Sequence, residues 1–114
     1  MRFFGYTLSE EVPMAPPTPE MMEEMGTFVQ EAIDAGVIVA TGGLAPTADG
    51  TKVTLSKGTF TITDGPFAEA KEIVGGWALM ETKDKAEAIE WTKRFLTIAG
   101  DGETRIRQVF GPED

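Results

Sequence analysis

The residue types best suited to chemistry lie in an Asp-Gly-Pro-Phe turn at positions 64 to 67. The carboxylate of Asp64 can serve as a general base, or it can accept a hydrogen bond from a ligand. The alternative is an Asx-turn, in which the same carboxylate only fixes the backbone of the turn. Phe67 can form the wall of a ligand pocket or pack into the core. We take Asp64 as the candidate catalytic residue and Phe67 as a candidate ligand-binding residue.

A cluster of charges follows this turn, at Glu69, Lys71 and Glu72. Two carboxylates beside an ammonium group suit ligand binding or acid–base work, whereas charges on an exposed loop are often simply solvated. Oxygen ligands from Asp64, Glu69 and Glu72 suit a hard cation, but their spacing matches no known metal-binding loop. We therefore take the three charged residues as ligand-binding candidates and predict no metal site.

Two further ligand-binding candidates lie on predicted strands. Trp77 follows Gly75-Gly76 and can stack on a planar ligand, although packing in the core is an equal alternative. Arg107 is separated from Arg105 by Ile106, so the two arginines share one face of the last strand. Guanidinium groups in this arrangement can bind a carboxylate through two hydrogen bonds, or they can pair with the acidic surface.

The composition excludes several kinds of site. The 114-residue chain has no cysteine and no histidine, which rules out thiolate metal sites, cysteine nucleophiles and histidine proton shuttles. Ten basic and nineteen acidic side chains give a net charge of −9, which argues against nucleic-acid binding. No apolar run approaches the roughly 18 residues that span a bilayer, and the N-terminus does not resemble a signal peptide. We expect a cytoplasmic protein that does not contact membranes, and the sequence indicates no particular cofactor.

The elements that must position these residues follow from periodicity and turn residues. The first of two amphipathic helices has Thr18 as its N-cap and ends at Gly36, and the second begins after Asp84 and ends before Gly100. The β-branched run at residues 37–41 is typical of a strand covered on both faces. Strands are predicted over residues 2–8, 37–41, 52–56, 59–63, 73–80 (bent at its glycine pair) and 103–110.

The third and fourth predicted strands form a hairpin across Lys57-Gly58. A two-residue loop pairs Leu55 with Phe60. It also pairs Val53 with Ile62, so that one side of the hairpin is apolar. Lysine rarely adopts a positive φ. A bulged turn in which only Gly58 has a positive φ is therefore an equal alternative.

The order of elements predicts a single domain, residues 1–114, with an α+β, ferredoxin-like fold. Strand, helix, strand, hairpin, strand, helix and strand give one mainly antiparallel sheet with two helices on one face and an inserted β-hairpin. Two helices cover only one face of such a sheet. The other face would expose apolar side chains unless a second copy packs on it, so we predict a homodimer.

Nearly the whole chain resembles the DGPF domain, which is part of the YCII-related family of small bacterial proteins. The resemblance rests on the aromatic first strand, the Thr63-Asp64-Gly65-Pro66-Phe67 signature, and shorter matches at Pro19-Glu20-Met21, Gly42-Gly43-Leu44, Glu69, Lys71-Glu72, Gly75-Gly76 and Ile106-Arg107-Gln108-Val109. The resemblance implies membership of the dimeric α+β barrel group. The YCII-related family itself has no settled reaction. Other members have a histidine–aspartate pair suspected of catalysis, and this chain cannot form it because it has no histidine.

Two functions fit these residues. The first is binding of a small organic ligand in a cleft near the Asp-Gly-Pro-Phe turn, with carboxylate-based catalysis at Asp64 as an extension. The second comes from the resemblance, because relatives are often encoded beside, or fused to, extracytoplasmic-function sigma factors. It is a non-enzymatic accessory or regulatory role with such a sigma factor as the protein partner.

Overall fold

The computed structural model describes residues 1–9, 17–66 and 73–112. Four of the predicted ligand-binding residues, Phe67, Glu69, Lys71 and Glu72, lie outside the described residues. The elements are β1 (Arg2–Ser9), α1 (Pro19–Asp34), β2 (Ile38–Gly43), a short 3-10 turn (Thr47–Asp49), β3 (Thr51–Ser56), β4 (Thr59–Asp64), β5 (Ile73–Glu81), α2 (Lys85–Ala99) and β6 (Glu103–Val109).

Both helices begin at the capping residues that the sequence predicts. The hydroxyl oxygen of Thr18 accepts a hydrogen bond from the backbone N–H of Met21 at 3.1 Å, and the proline that follows the cap starts α1. One carboxylate oxygen of Asp84 accepts from the N–H of Glu87 at 2.9 Å at the start of α2. The left-handed φ of +98° at Gly100 then ends α2 at the predicted glycine.

The main sheet has four strands in the order β2-β5-β1-β6, and every neighbouring pair is antiparallel. Both helices pack on one face of it, and the buried core between them includes Phe3, Val37, Met80 and Ala88. Burial of a side chain the size of Phe3 contributes about 1.5–3 kcal/mol to folding. The predicted α+β, ferredoxin-like fold is therefore confirmed.

A bulge at the glycine pair bends β5. Thr7 of β1 pairs with Gly76, but Leu8 pairs with Val74, so one residue of β5 has no partner in the register. An extra residue in one strand increases the local twist and bends that strand. The bend predicted from the two adjacent glycines is therefore present.

The burial predicted for the second strand is wrong. The run at residues 37–41 was expected to be covered on both faces, yet Val39 is 50% exposed and Ile38 is only half-buried. The strand lies at the edge of the sheet, and the buried Val37 precedes it. A β-branched run reports strand propensity as well as burial, and in this edge strand the propensity explains the pattern.

The hairpin pairs in the predicted register and forms a two-stranded sheet of its own. Leu55 lies opposite Phe60 and Val53 lies opposite Ile62. The turn is the two-residue form, because Lys57 and its glycine neighbour have φ values of 50° and 80°. The four apolar side chains are between 61% and 71% exposed, so the apolar side of the hairpin faces solvent in the single chain.

Candidate functional site

The face of the main sheet that points away from the helices carries most of the described candidate residues. We call it the open face. Antiparallel pairing places opposite residues on the same face, so the partners of Phe4 and Tyr6 of β1 point the same way as these rings. The open face comprises Arg2, Phe4, Tyr6, Leu8, Ala40, Gly42, Val74, Trp77, Leu79, Glu81, Glu103, Arg105, Arg107 and Val109.

Three aromatic rings form a continuous surface at the centre of the open face. The ring centroids of Phe4 and Trp77 are 6.0 Å apart with an interplanar angle of 23°, and those of Phe4 and Tyr6 are 5.9 Å apart. Stacked and tilted aromatic pairs at these distances stabilise one another beyond simple area burial. The three half-buried rings therefore form a rigid apolar platform on which a planar molecule can lie.

A glycine on the edge strand makes room for the indole. Gly42 of β2 pairs with Trp77, and a Cβ atom on this glycine would lie 3.3 Å from Cζ2 of the indole ring. That separation is closer than most Cβ atoms tolerate, so a larger residue would displace the ring. Gly42 thus fixes where Trp77 lies on the open face.

Two arginines border the aromatic platform on β6. Arg107 is exposed and lies opposite Phe4, while Arg105 lies opposite Tyr6. The Nε of Arg105 donates to Glu103 at 2.7 Å, so part of its hydrogen-bonding capacity is already used. A guanidinium group beside an aromatic surface suits a planar anion, because it pairs with a carboxylate while the rings contact the flat body of the molecule.

Asp64 is the last residue of β4, in the two-stranded hairpin rather than on the open face of the main sheet. The backbone N–H of Gly65 donates to the carbonyl of Gly50 at 2.9 Å, and the hydroxyl of Thr51 donates to Oδ1 of Asp64 at 3.5 Å. The loop at 44–50 leads from this turn to the sheet, where the N–H of Leu44 donates to the carbonyl of Gly75 at 2.7 Å. The exposed carboxylate of Asp64 therefore lies where the hairpin meets one end of the 44–50 loop, and the other end of this loop contacts the main sheet at Gly75.

Comparison with models of known protein families gives a match to the YCII-related domain over residues 3–111. The chain belongs to the YCII-related family. A search of curated proteins returns no match. The family assignment confirms the resemblance read from the Asp-Gly-Pro-Phe signature and the shorter matches around it.

Two of the three described candidate residues of this YCII-related domain lie together on the open face. Trp77 and Arg107 do share one face, with Phe4 between them, whereas Asp64 lies at the end of β4 in the separate hairpin. In the sequence, Phe4 and Tyr6 belong to the aromatic first strand, and neither is individually marked as a ligand-binding residue. Their spacing of two residues, which matches that of Arg105 and Arg107, is the signal that could have placed them on a common face.

Neither a metal-binding cluster nor a membrane-spanning helix is found among the described residues of this YCII-related domain. Within residues 1–9, 17–66 and 73–112, no group of three or more acidic side chains is positioned to hold a metal ion. Neither α1 nor α2 has the length and apolar character that crossing a bilayer requires.

Proposed function

We propose that this protein is a homodimeric domain that binds a planar organic anion on the open face. The observation that carries the proposal is the stacked Phe4–Trp77 pair beside the exposed Arg107, on the face opposite the helices. The rings contact the flat body of the ligand, and the guanidinium pairs with its carboxylate. Aromatic carboxylates are the simplest class of molecule that meets both requirements.

The charge of the chain strengthens the assignment of Arg107. A net charge of −9 repels anions in general, so an anionic ligand needs a local positive group to bind. Arg107 and Arg105 provide that group at the border of the aromatic platform. The same net charge disfavours binding of anions elsewhere on the surface.

The homodimer would cover the two apolar surfaces that a single chain exposes. One is the half-buried aromatic platform at the centre of the open face, and the other is the apolar side of the hairpin with Val53, Leu55, Phe60 and Ile62. Contiguous apolar surface of this kind marks interaction sites in soluble proteins. A second copy offers complementary surface of the same chemistry, and the ligand then lies in the cleft between two open faces.

The proposal predicts that aromatic carboxylates raise the melting temperature of the protein and that the matching amides do not. Benzoate, 4-hydroxybenzoate and a naphthoate are compared with benzamide, 4-hydroxybenzamide and a naphthamide in a thermal-shift series. A ligand at 100 times its Kd stabilises the folded state by about 2.7 kcal/mol, which is readily measured. Equal shifts in melting temperature for acids and amides would show that the Arg107 guanidinium does not contribute to binding.

Asp64 is the proposed carboxylate for ligand contact and for proton transfer at the sheet end of this cleft. Its exposure, and its place beside the 44–50 loop that follows β2 of the main sheet, support the assignment. We expect Asp64→Asn to weaken binding of 4-hydroxybenzoate by about 3- to 10-fold, because the charge-assisted hydrogen bond that its phenol hydroxyl donates to the carboxylate is lost. Asp101→Asn, at an exposed residue of the α2–β6 connection, is the matched control. Unchanged affinity in the Asp64→Asn protein would show that Asp64 does not contact the ligand and only stabilises the turn.

A regulatory interaction with an extracytoplasmic-function sigma factor is the second candidate function. The exposed apolar side of the hairpin and the acidic surface support it, because together they suit a partner with an apolar groove and a basic rim. Capture of a sigma factor by the wild-type protein, and its loss on Phe60→Glu, would favour this function. An empty capture from the native cell counts against it.

A further inference from the structure

A cavity of about 190 Å³ separates the two helices from the main sheet, on the side opposite the open face. Both layers contribute to its walls, through Gly5, Thr7 and Thr104 of the sheet and Phe28, Ala32 and Trp91 of the helices. We infer that this cavity binds a small neutral aromatic molecule that carries one hydroxyl or carbonyl group. The cavity lies on the opposite side of the main sheet from the open face, although Gly42 and Trp77 contribute to both, and its assignment does not depend on the proposed function.

The volume of the cavity sets the size of the ligand. An engineered cavity of about 150 Å³ lined by aliphatic and phenylalanine side chains binds benzene. A volume of 190 Å³ therefore accommodates one aromatic ring with a small substituent. The rings of Phe28 and Trp91, tilted by 44° at 5.9 Å, offer a face and an edge for aromatic contact.

The chemistry of the walls selects a neutral ligand. None of the described residues that line the cavity is an aspartate, glutamate, lysine or arginine. A charged group placed there would lose its hydration without gaining an ionic partner, which is unfavourable. The cavity therefore differs in selectivity from the open face, where Arg107 favours an anion.

Thr7 and Thr104 supply the polar contact. Their hydroxyl oxygens lie 3.1 Å apart, so one hydroxyl donates to the other and the second proton can be donated to a ligand. Thr41 and Thr92 also line the cavity, but each donates its hydroxyl proton to a backbone carbonyl at 2.8 Å. The Thr7–Thr104 pair is therefore the position at which a ligand hydroxyl or carbonyl finds a hydrogen-bonding partner.

Gly5 preserves the cavity from the side of the sheet. This glycine is buried in the central part of β1, where glycine weakens a strand, and its backbone is not in the left-handed region. A Cβ atom at this position would lie 3.3 Å from Cε of Met80 and 3.8 Å from Cγ2 of Thr104. Any side chain here would therefore press on residues that line the cavity.

Titration with p-cresol and toluene, followed through the methyl signals of methionines in an NMR spectrum, tests the inference. Met25 and Met80 line the cavity, so both signals should shift saturably with either probe, and 4-methylbenzoate should leave them unchanged. Ala78→Leu places a larger side chain in the cavity and should weaken p-cresol binding at least about tenfold. The control is Ala40→Leu, at an exposed position on the open face.

A second variant separates the polar contact from the apolar one. Thr104→Val removes a hydroxyl at nearly constant volume, and we expect about a 3- to 10-fold loss of p-cresol affinity with toluene affinity unchanged. If Ala78→Leu does not fold, Gly5→Ala provides a smaller reduction of the same cavity. Arg107→Gln should leave p-cresol binding unaltered, whatever its effect on aromatic carboxylates. Unshifted Met25 and Met80 signals, or equal p-cresol affinity in the filled variants, would overturn the inference.

Discussion

Replacing Gly65 by alanine should lower the free energy of unfolding by roughly 1–3 kcal/mol or more, because the new methyl group has no space. A Cβ atom at this position would lie 1.7 Å from the carbonyl oxygen of Thr47 and 2.8 Å from its carbonyl carbon. The neighbour is backbone rather than a flexible side chain, so the turn or the 44–50 loop must move. The hydrogen bond from the N–H of Gly65 to Gly50 would be strained as well.

Urea denaturation of Gly65→Ala beside Gly26→Ala measures this effect. Gly26 lies within α1, and nothing lies within 4 Å of the Cβ that alanine would add. Alanine there should stabilise the protein by about 0.5–1 kcal/mol through helix propensity. The two substitutions are chemically identical and should have opposite signs. A Gly65→Ala protein as stable as the wild type would show that the turn does not pack on Thr47 as described.

The second large effect concerns the hairpin. Phe60→Glu should convert a homodimer into a monomer, because it introduces a charge into the apolar side that we propose a second copy covers. Light scattering during size-exclusion chromatography would report a mass falling from twice the 12.3 kDa of the chain to that single value. Thr61→Glu is the matched control. It adds the same charge one residue away, on the opposite side of β4.

The two hairpin variants separate the possible partners of this surface. If the protein remains a dimer with each of the two substitutions, the hairpin is not part of the dimer interface. A wild-type protein that is monomeric at micromolar concentration would contradict the homodimer outright. In that case the apolar side of the hairpin is a surface for a different protein, and the sigma factor becomes the leading partner.

Local signals in the sequence were sufficient for most of the fold. The caps at Thr18 and Asp84 and the stop at Gly100 each depend on a few neighbouring residues, and each is found where predicted. Alternation in the hairpin also fixed its register, because a shift of one residue would reverse every side chain. The order of the strands in the sheet then follows from the order of the elements.

Properties that depend on distant parts of the chain were harder to predict. The run at residues 37–41 has the composition of a buried strand, but its position at the edge of the sheet decides its exposure. Likewise, the contact between Gly65 and Thr47 joins two loops that no local pattern relates. Neither the exposure of this strand nor the contact between the loops can be predicted from the residue types alone.

The candidate site divides in the same way. Trp77 and Arg107 could be selected by residue type, but their common face depends on the pairing of β1 with both β5 and β6. Phe4 lies between these two residues. Nothing in the sequence distinguishes it from other aromatic residues of β-strands. The cavity was not predicted at all, because a volume arises from the packing of two helices against a sheet.

Fluorescence titration of Trp77 with 4-hydroxybenzoate and related aromatic carboxylates tests the central claim most directly. Trp91→Phe leaves Trp77 as the single indole of the chain, so quenching reports the surroundings of the ring that stacks on Phe4 at the open face. We predict saturable quenching that weakens about 10- to 100-fold on Arg107→Gln, since a charge-assisted pair is lost. Lys93→Gln removes the same charge from α2 and should leave the affinity unchanged. Absence of saturable quenching throughout the series, or equal affinity in the Arg107→Gln protein, would contradict binding of a planar anion on the open face.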